Sequence, residues 1–238
     1  MHRYKVELCF SPALYEYYRN DSAIVVVVDI LRATSAICTA FMNGVTRIIP
    51  VASLEEAMDY KNKGFLVAAE RDGIIRDFAD FGNSPFNFTV DRVKDKEIVY
   101  STTNGTNTIM MASHSHKVVI GSYLNHQALV NYISNEHHDL LILCAGWKQK
   151  FNLEDTLFAG ALAEAVLQNA NFHTSCDSTY ASIDLWHEAN KNIPQYLEKV
   201  AQRHRLRRNG LDDVIGLCHT FNLTDKIPFL HNNYLVTM

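Results

Sequence analysis

Short apolar runs alternate along this chain with stretches in which apolar positions recur at helical spacing. The runs predict strands over residues 4–10, 23–29, 47–51, 65–69, 97–101, 117–121 and 139–144. Several, such as Val25-Val26-Val27-Val28, are unbroken rather than alternating, as expected of a strand covered on both faces. Helix starts lie between them. Ser53-Leu54-Glu55-Glu56 has the spacing of a capping box for a helix to about residue 62, stopped by Gly64. Asn125 and Asn152 stand where N-caps of helices 126–134 and 153–169 belong. From about residue 171 to 238 the pattern predicts helices and a final segment, punctuated by Gly210 and Pro228. Strand and helix in alternation predict the α/β class, a mainly parallel sheet with helices on both faces. No low-complexity or Pro-rich linker interrupts residues 1–238, so one compact domain with room for two similar halves is expected.

At 238 residues, a chain can remove roughly 70% of its unfolded surface from water. A content of 47% hydrophobic and 20% charged residues is that of an ordinary globular protein. The net charge of −4 provides no general field for nucleic acid or an anionic membrane surface, so an anionic ligand must be held locally. The longest near-continuous apolar run, 23–28, is far short of the roughly 20 residues of a membrane helix. The N-terminus soon meets Glu7 and has no long apolar core of a signal peptide, so the cytoplasm is the expected location. Five cysteines without a C-x-x-C pair argue against a disulfide framework or zinc ribbon. His114, His116, His137 and His138 lack helix-spaced metal-ligand spacing.

Open parallel sheets bind ligands beyond the carboxyl ends of their strands, and four polar clusters are predicted at such ends. They are Asp29-Ile30-Leu31-Arg32-Ala33-Thr34-Ser35, Glu70-Arg71-Asp72-Gly73, Thr102-Thr103-Asn104-Gly105-Thr106, and Cys144-Ala145-Gly146-Trp147 with Glu154-Asp155 just after it. Each has a plainer explanation. Asp29 can cap a helix, Glu70 and Arg71 can form a surface ion pair, and the Thr/Asn/Gly run can be an ordinary turn. Asp155 can be the N3 partner of Asn152, and Cys144 can be a small buried hydrophobe. Arg32 fits its place less well, because a cation on a first helical turn is unfavourable unless an anion is near. Taken together, the clusters offer carboxylates for a hard cation such as Mg²⁺ and arginines whose forked donors match phosphate oxygens. Helix starts and Gly turns add backbone N–H groups. A carboxylate-bound metal beside an anion cradle suits phosphoryl transfer.

At these same residues the chain resembles the 2-phosphosulfolactate phosphatase family of coenzyme M biosynthesis. The resemblance rests on residues 25–34, Glu70-Arg71, Asp80-Phe81-Gly82-Asn83-Ser84-Pro85, Thr102-Thr103-Asn104-Gly105-Thr106, and Leu143-Cys144-Ala145-Gly146 followed by Leu153-Glu154-Asp155. Their order and spacing cover residues 5 to 230. The resemblance implies a three-layer α/β/α fold and Mg²⁺-dependent hydrolysis of a phosphate monoester on a small 2-hydroxy acid. Two positions depart from the pattern: Asp72 stands where a glycine is usual, and Asn222 where an aspartate is expected.

The expected site has Asp29, with Glu70 or Glu154 and Asp155, anchoring Mg²⁺. Arg32, Arg71 and residues Thr103, Asn104, Gly105 and Thr106 bind the phosphate and a carboxylate or sulfonate, while Asn83 and Ser84 orient the substrate. The partner is a small phosphorylated acid, with no nucleic acid or membrane, and a homo-oligomer is compatible with the sequence. Two rivals stand beside this reading: a cysteine hydrolase with Cys144 as nucleophile and Asp29 as its base, and a non-catalytic binder of an acidic metabolite.

Overall fold

The computed structural model describes residues 3–238. Eleven strands are found among them: β1 Tyr4–Cys9, β2 Ile24–Val28, β3 Arg47–Pro50, β4 Leu66–Arg71, β5 Ile74–Ile75, β6 Glu97–Ser101, β7 Lys117–Gly121, β8 Leu140–Cys144, β9 Phe172–His173, β10 Pro228–His231 and β11 Tyr234–Thr237. The helices are α1 Tyr15–Tyr18, α2 Ala33–Met42, α3 Leu54–Asn62, α4 Val90–Val93, α5 Gly105–Met111, α6 His126–Asn135, α7 Leu153–Leu167, α8 Asp177–Asn190, α9 Ile193–Leu197, α10 Ala201–Arg208 and α11 Ile215–Cys218. Every strand expected from the sequence forms. The short strands β5 and β9 and the pair β10–β11 were not foreseen.

The strands make one sheet in the order β5-β4-β6-β3-β11-β10-β7-β2-β8-β1-β9. It contains two parallel blocks, β4-β6-β3 and β7-β2-β8-β1-β9. The final segment, expected after the helices without an assigned structure, is an antiparallel hairpin inserted between the blocks. Its turn residues Asn232 and Asn233 have φ of 48° and 65°, the left-handed pair that a tight two-residue hairpin requires. Pro228 opens β10, a position that tolerates the lost N–H.

Three antiparallel steps through the hairpin leave the two blocks running in opposite directions. Twist counteracts that reversal. The six neighbour-to-neighbour steps from β2 to β4, at roughly 20–25° each, turn one block through about 120–150° relative to the other. The carboxyl ends of β2 and β4 therefore converge: Arg32 just beyond β2 donates from Nη2 to the Gly73 carbonyl just beyond β4, at 3.2 Å.

Alternation along β2 divides the core in two. Val25 and Val27 pack with Ile37, Phe41, Ile98, Tyr100 and Ile109, so α2 and α5 lie inside the curve of the sheet, covered by both blocks. Val26 and Val28 face Leu129, Phe158, Leu162 and Trp186 on α6, α7 and α8. Helix α3 covers Ile49, Val67 and Val99 of the other block. Helix starts agree in part. Ser53 Oγ accepts the Glu56 N–H at 3.0 Å as expected, and Gly64 ends the helix at φ 87°. Asn125 and Asn152 make no side-chain cap. The Asn125 amide bonds to the Ile120 and Lys226 carbonyls, and Asn152 turns to two carboxylates described below.

Candidate active site

The converging strand ends enclose a small polar cleft lined by Asp29, Leu31, Arg32, Glu70, Gly73, Asn83, Asn104, Trp147 and Gln202. Asp29 follows β2 directly, and four valines before it fix its depth, leaving it 8% exposed. Arg32 is 3% exposed and is the one buried arginine or lysine among the described residues. The Leu31–Arg32 peptide is cis. Glu70, also 3% exposed, accepts from the Gly73 N–H at 2.6 Å, the Thr103 N–H at 2.7 Å and the Thr103 hydroxyl at 3.2 Å. Its carboxylate thus ties the turn after β4 to the turn after β6. Next to the cleft, and sharing Arg32, Gly73 and Asn83 with it, is a pocket of about 580 Å³. Ile74, Ile75, Ser84, Phe86 and Leu211 are among its lining residues.

Behind Asp29 lie the two carboxylates that open α7. Asp155 accepts from the Ile30 N–H at 2.8 Å, the Gly146 N–H at 3.2 Å and Asn152 Nδ2 at 2.8 Å. Glu154 accepts from Asn152 Nδ2 at 3.1 Å. Neither lines the cleft; Asp155 positions the backbone on which Asp29 and Arg32 stand. Burial, with Asp155 and Glu70 nearby, pushes the Asp29 carboxyl well above its usual range. Asp155 is raised likewise, by burial and then by Glu154, and burial takes Glu154 up to about 7. Four buried carboxylates against one buried guanidinium form a donor set that favours an added cation, most directly at Asp29. No three His, Cys, Asp or Glu residues among those described converge on one point. A Mg²⁺ ion fits under these conditions, because it commonly takes one or two carboxylates and completes its shell with water and substrate oxygens.

The remaining candidates take other places. Arg71 is turned away from the cleft: successive residues of a strand point to opposite faces, so a cleft-facing Glu70 sends Arg71 to the far side. There it donates to the Glu70 carbonyl at 2.6 Å, the Ala52 carbonyl at 3.1 Å and Ser101 Oγ at 3.0 Å. Thr103 uses its N–H and hydroxyl on Glu70. Thr106 is buried and exchanges hydrogen bonds with Thr102. Gly105 is needed for close approach, since a Cβ there would lie 2.7 Å from Ala33 Cβ and 2.9 Å from Asp29 Oδ2. Asn104 reaches the cleft, as does Asn83, whose Oδ1 is buried without a partner. Cys144 is wholly buried, and burial, followed by the nearby Asp155, raises its thiol well above the ordinary value.

Gly73, Trp147 and Gln202 also line the cleft. Gln202 arrives from α10 and donates to the Leu31 carbonyl at 3.0 Å across 171 positions of sequence. Its one local clue is a buried amide on an otherwise charged helix. Arg205, one turn on, donates to Gln202 at 2.6 Å and lies over the Trp147 ring at 4.4 Å.

A buried carboxylate–guanidinium cleft where two sets of parallel strands end, opening beside a roomy pocket, defines an α/β enzyme for a small anionic substrate. The chain matches the family described as 2-phosphosulpholactate phosphatase over residues 9–233. Relatives named "Probable 2-phosphosulfolactate phosphatase" include one from Caldanaerobacter subterraneus subsp. tengcongensis, 35% identical over 233 residues that cover 94% of this chain and 96% of the relative. One from Clostridium novyi is 33% identical, with 95% and 97% covered, and one from Thermotoga maritima is 34% identical, with 89% and 90% covered. The chain belongs to the 2-phosphosulfolactate phosphatase family, a family of phosphoric monoester hydrolases. No helix among the described residues is long and apolar enough to cross a membrane.

Proposed function

We propose that this chain is a Mg²⁺-dependent phosphatase for the phosphate monoester of a short 2-hydroxy acid such as 2-phosphosulfolactate, giving the hydroxy acid and phosphate. The observation that carries this reading is the burial of Asp29 and Arg32 side by side in one cleft at converging strand ends. Arg32 gives one hydrogen bond to protein, to Gly73, and its other donors serve two phosphate oxygens at once. The Asn83 amide, turned over, presents N–H donors to the same anion. Glu70 and Asp155 hold the loops that carry these groups. Asp29 would hold the Mg²⁺ ion, which would supply charge neutralisation for the phosphate oxygens. Water adds at phosphorus as the P–O ester bond breaks, and the proton balance closes with one proton of that water ending on the oxygen of the departing hydroxy acid.

Nothing in the site favours Cys144 as a nucleophile. A reactive thiol is exposed and has a lowered pKa, whereas this one is buried and raised. The deciding experiment is phosphate release from phosphosulfolactate, phospholactate and phosphoglycolate, with Mg²⁺ and with EDTA. Release with Mg²⁺ and its loss with EDTA is expected; equal turnover in EDTA would sink the metal-based reading, and no release from any ester would leave a binding protein.

A further inference from the structure

Asp72 and Lys148 form an ion pair, Oδ1 to Nζ at 2.7 Å, across the rim of the cleft. Asp72 immediately precedes Gly73 and Lys148 immediately follows Trp147, and Gly73 and Trp147 belong to the cleft lining. Both rim residues are held by the same turn. The Asp72 N–H donates to Thr103 Oγ1 at 2.9 Å and the Lys148 N–H to Asn104 Oδ1 at 3.0 Å. The Lys148 ammonium lies 5.5 Å from the centroid of the Trp147 ring. The backbone is left-handed at both positions, with φ of 56° at Asp72 and 50° at Lys148, a region unfavourable for residues other than glycine. Both side chains are 56% exposed, and an ion pair so open to water adds little to folding. Stability therefore does not account for a strained pair at this place.

Recognition of substrate does. A phosphorylated hydroxy acid carries a second anion, and Arg32 is engaged by the phosphate. Arg71 is bonded to carbonyls and Ser101 on the far face. Arg205 is tied to Gln202 and faces the charge of Glu154. Lys148 is the cation at the rim whose partner is an exposed carboxylate. We propose that Lys148 is the specificity-determining residue for the carboxylate or sulfonate of the substrate, and that Asp72 occupies it until the substrate displaces it. This assignment rests on the phosphatase reading above and goes beyond it in naming the second anion's receptor.

The test compares phospholactate, which carries a second anion, with phenyl phosphate, which does not, on full-length enzyme with Mg²⁺. Lys148→Ala is expected to lower kcat/KM for phospholactate about tenfold more than for phenyl phosphate, chiefly through KM, as loss of one charge-assisted contact would. Lys148→Arg should recover most of that loss. Asp72→Asn should lower KM for phospholactate severalfold by removing the competing carboxylate. Equal losses on both esters, or an unchanged KM in Asp72→Asn, would overturn the assignment while leaving the phosphatase intact. Absence of phosphate release from either ester by the unmodified enzyme would instead overturn the reading on which it rests.

Discussion

Asp29 is the residue on which the cleft's electrostatics turn. Burial, then the nearby Asp155 and Glu70, make its charge unfavourable, so removing that charge relieves the fold and harms the cation site. Asp29→Asn should melt at or above the temperature of the unmodified enzyme, bind Mg²⁺ much more weakly, and lose about a hundredfold in kcat, roughly 2.7 kcal/mol on the barrier. A simple helix cap predicts near silence, because Asn and Asp cap about equally well. Melting curves, an Mg²⁺ titration and kcat on this variant separate the two. Gly105→Ala should be costly for a different reason: the new methyl meets Ala33 Cβ at 2.7 Å and Asp29 Oδ2 at 2.9 Å. Overpacking of about 1–3 kcal/mol and at least a tenfold fall in kcat are expected; a crystal structure showing Asp29 displaced with activity intact would remove Asp29 from the site. Cys144→Ser should keep most activity, whereas a loss beyond about a thousandfold with the fold intact would return the thiol to the mechanism.

The elements explain which of these residues could be foreseen. Asp29 is legible because an unbroken valine run can end only where a doubly covered strand emerges. Glu70 and Arg71 are legible as a polar pair at a strand end, but deciding which one faces the ligand requires the strand's facing, and one position of register exchanges them. Gln202 and Arg205 lie on a helix brought to the cleft by long-range packing, and an amide among basic residues is the one local mark. The hairpin escaped for another reason. Its strands are short, Pro228 resembles a breaker, and Asn232-Asn233 lacks the glycine that usually marks such a turn. Its turn conformation can be tested. Asn233→Val puts a β-branched residue at φ 65° and should destabilise by about 1–2 kcal/mol, while Asn233→Gly should be within about 0.5 kcal/mol of the starting protein. Urea denaturation decides, and equal midpoints for the two variants would mean that the turn adapts at no cost.

Across the whole molecule, the hairpin and the accumulated twist bring two opposed blocks to one cleft, and the last segment before that hairpin carries an acid-sensitive group. His219 lies beside Tyr123, their ring centroids 5.3 Å apart, and Tyr123 in turn packs against Phe221 and Trp186. Its Nδ1 bonds to the Ile215 carbonyl at 2.8 Å, and its Nε2 is buried without a partner. Burial, aided by Arg203 and opposed by the Ile215 bond, lowers its pKa to about 4. An unfolded histidine takes its proton near 6.5, so between those values the unfolded chain binds more protons than the native one. Stability therefore rises with pH through this window, is lost on acidification from about 6.5 towards 4, and levels off below. A drop from 6.5 to about 4 corresponds to on the order of 3 kcal/mol at most, with His126, also lowered by burial, acting in the same direction. Asp80, held below its usual value although burial opposes Lys61 and the Val67 N–H, loses its contribution only at still lower pH, so the two effects separate. His219→Phe, which fits the aromatic surroundings, should flatten the dependence of the urea midpoint on pH between 4.5 and 6.5, and should matter least at pH 7 and above. The same slope in the variant would show that His219 is protonated in the native state and that its buried ring nitrogen finds a partner.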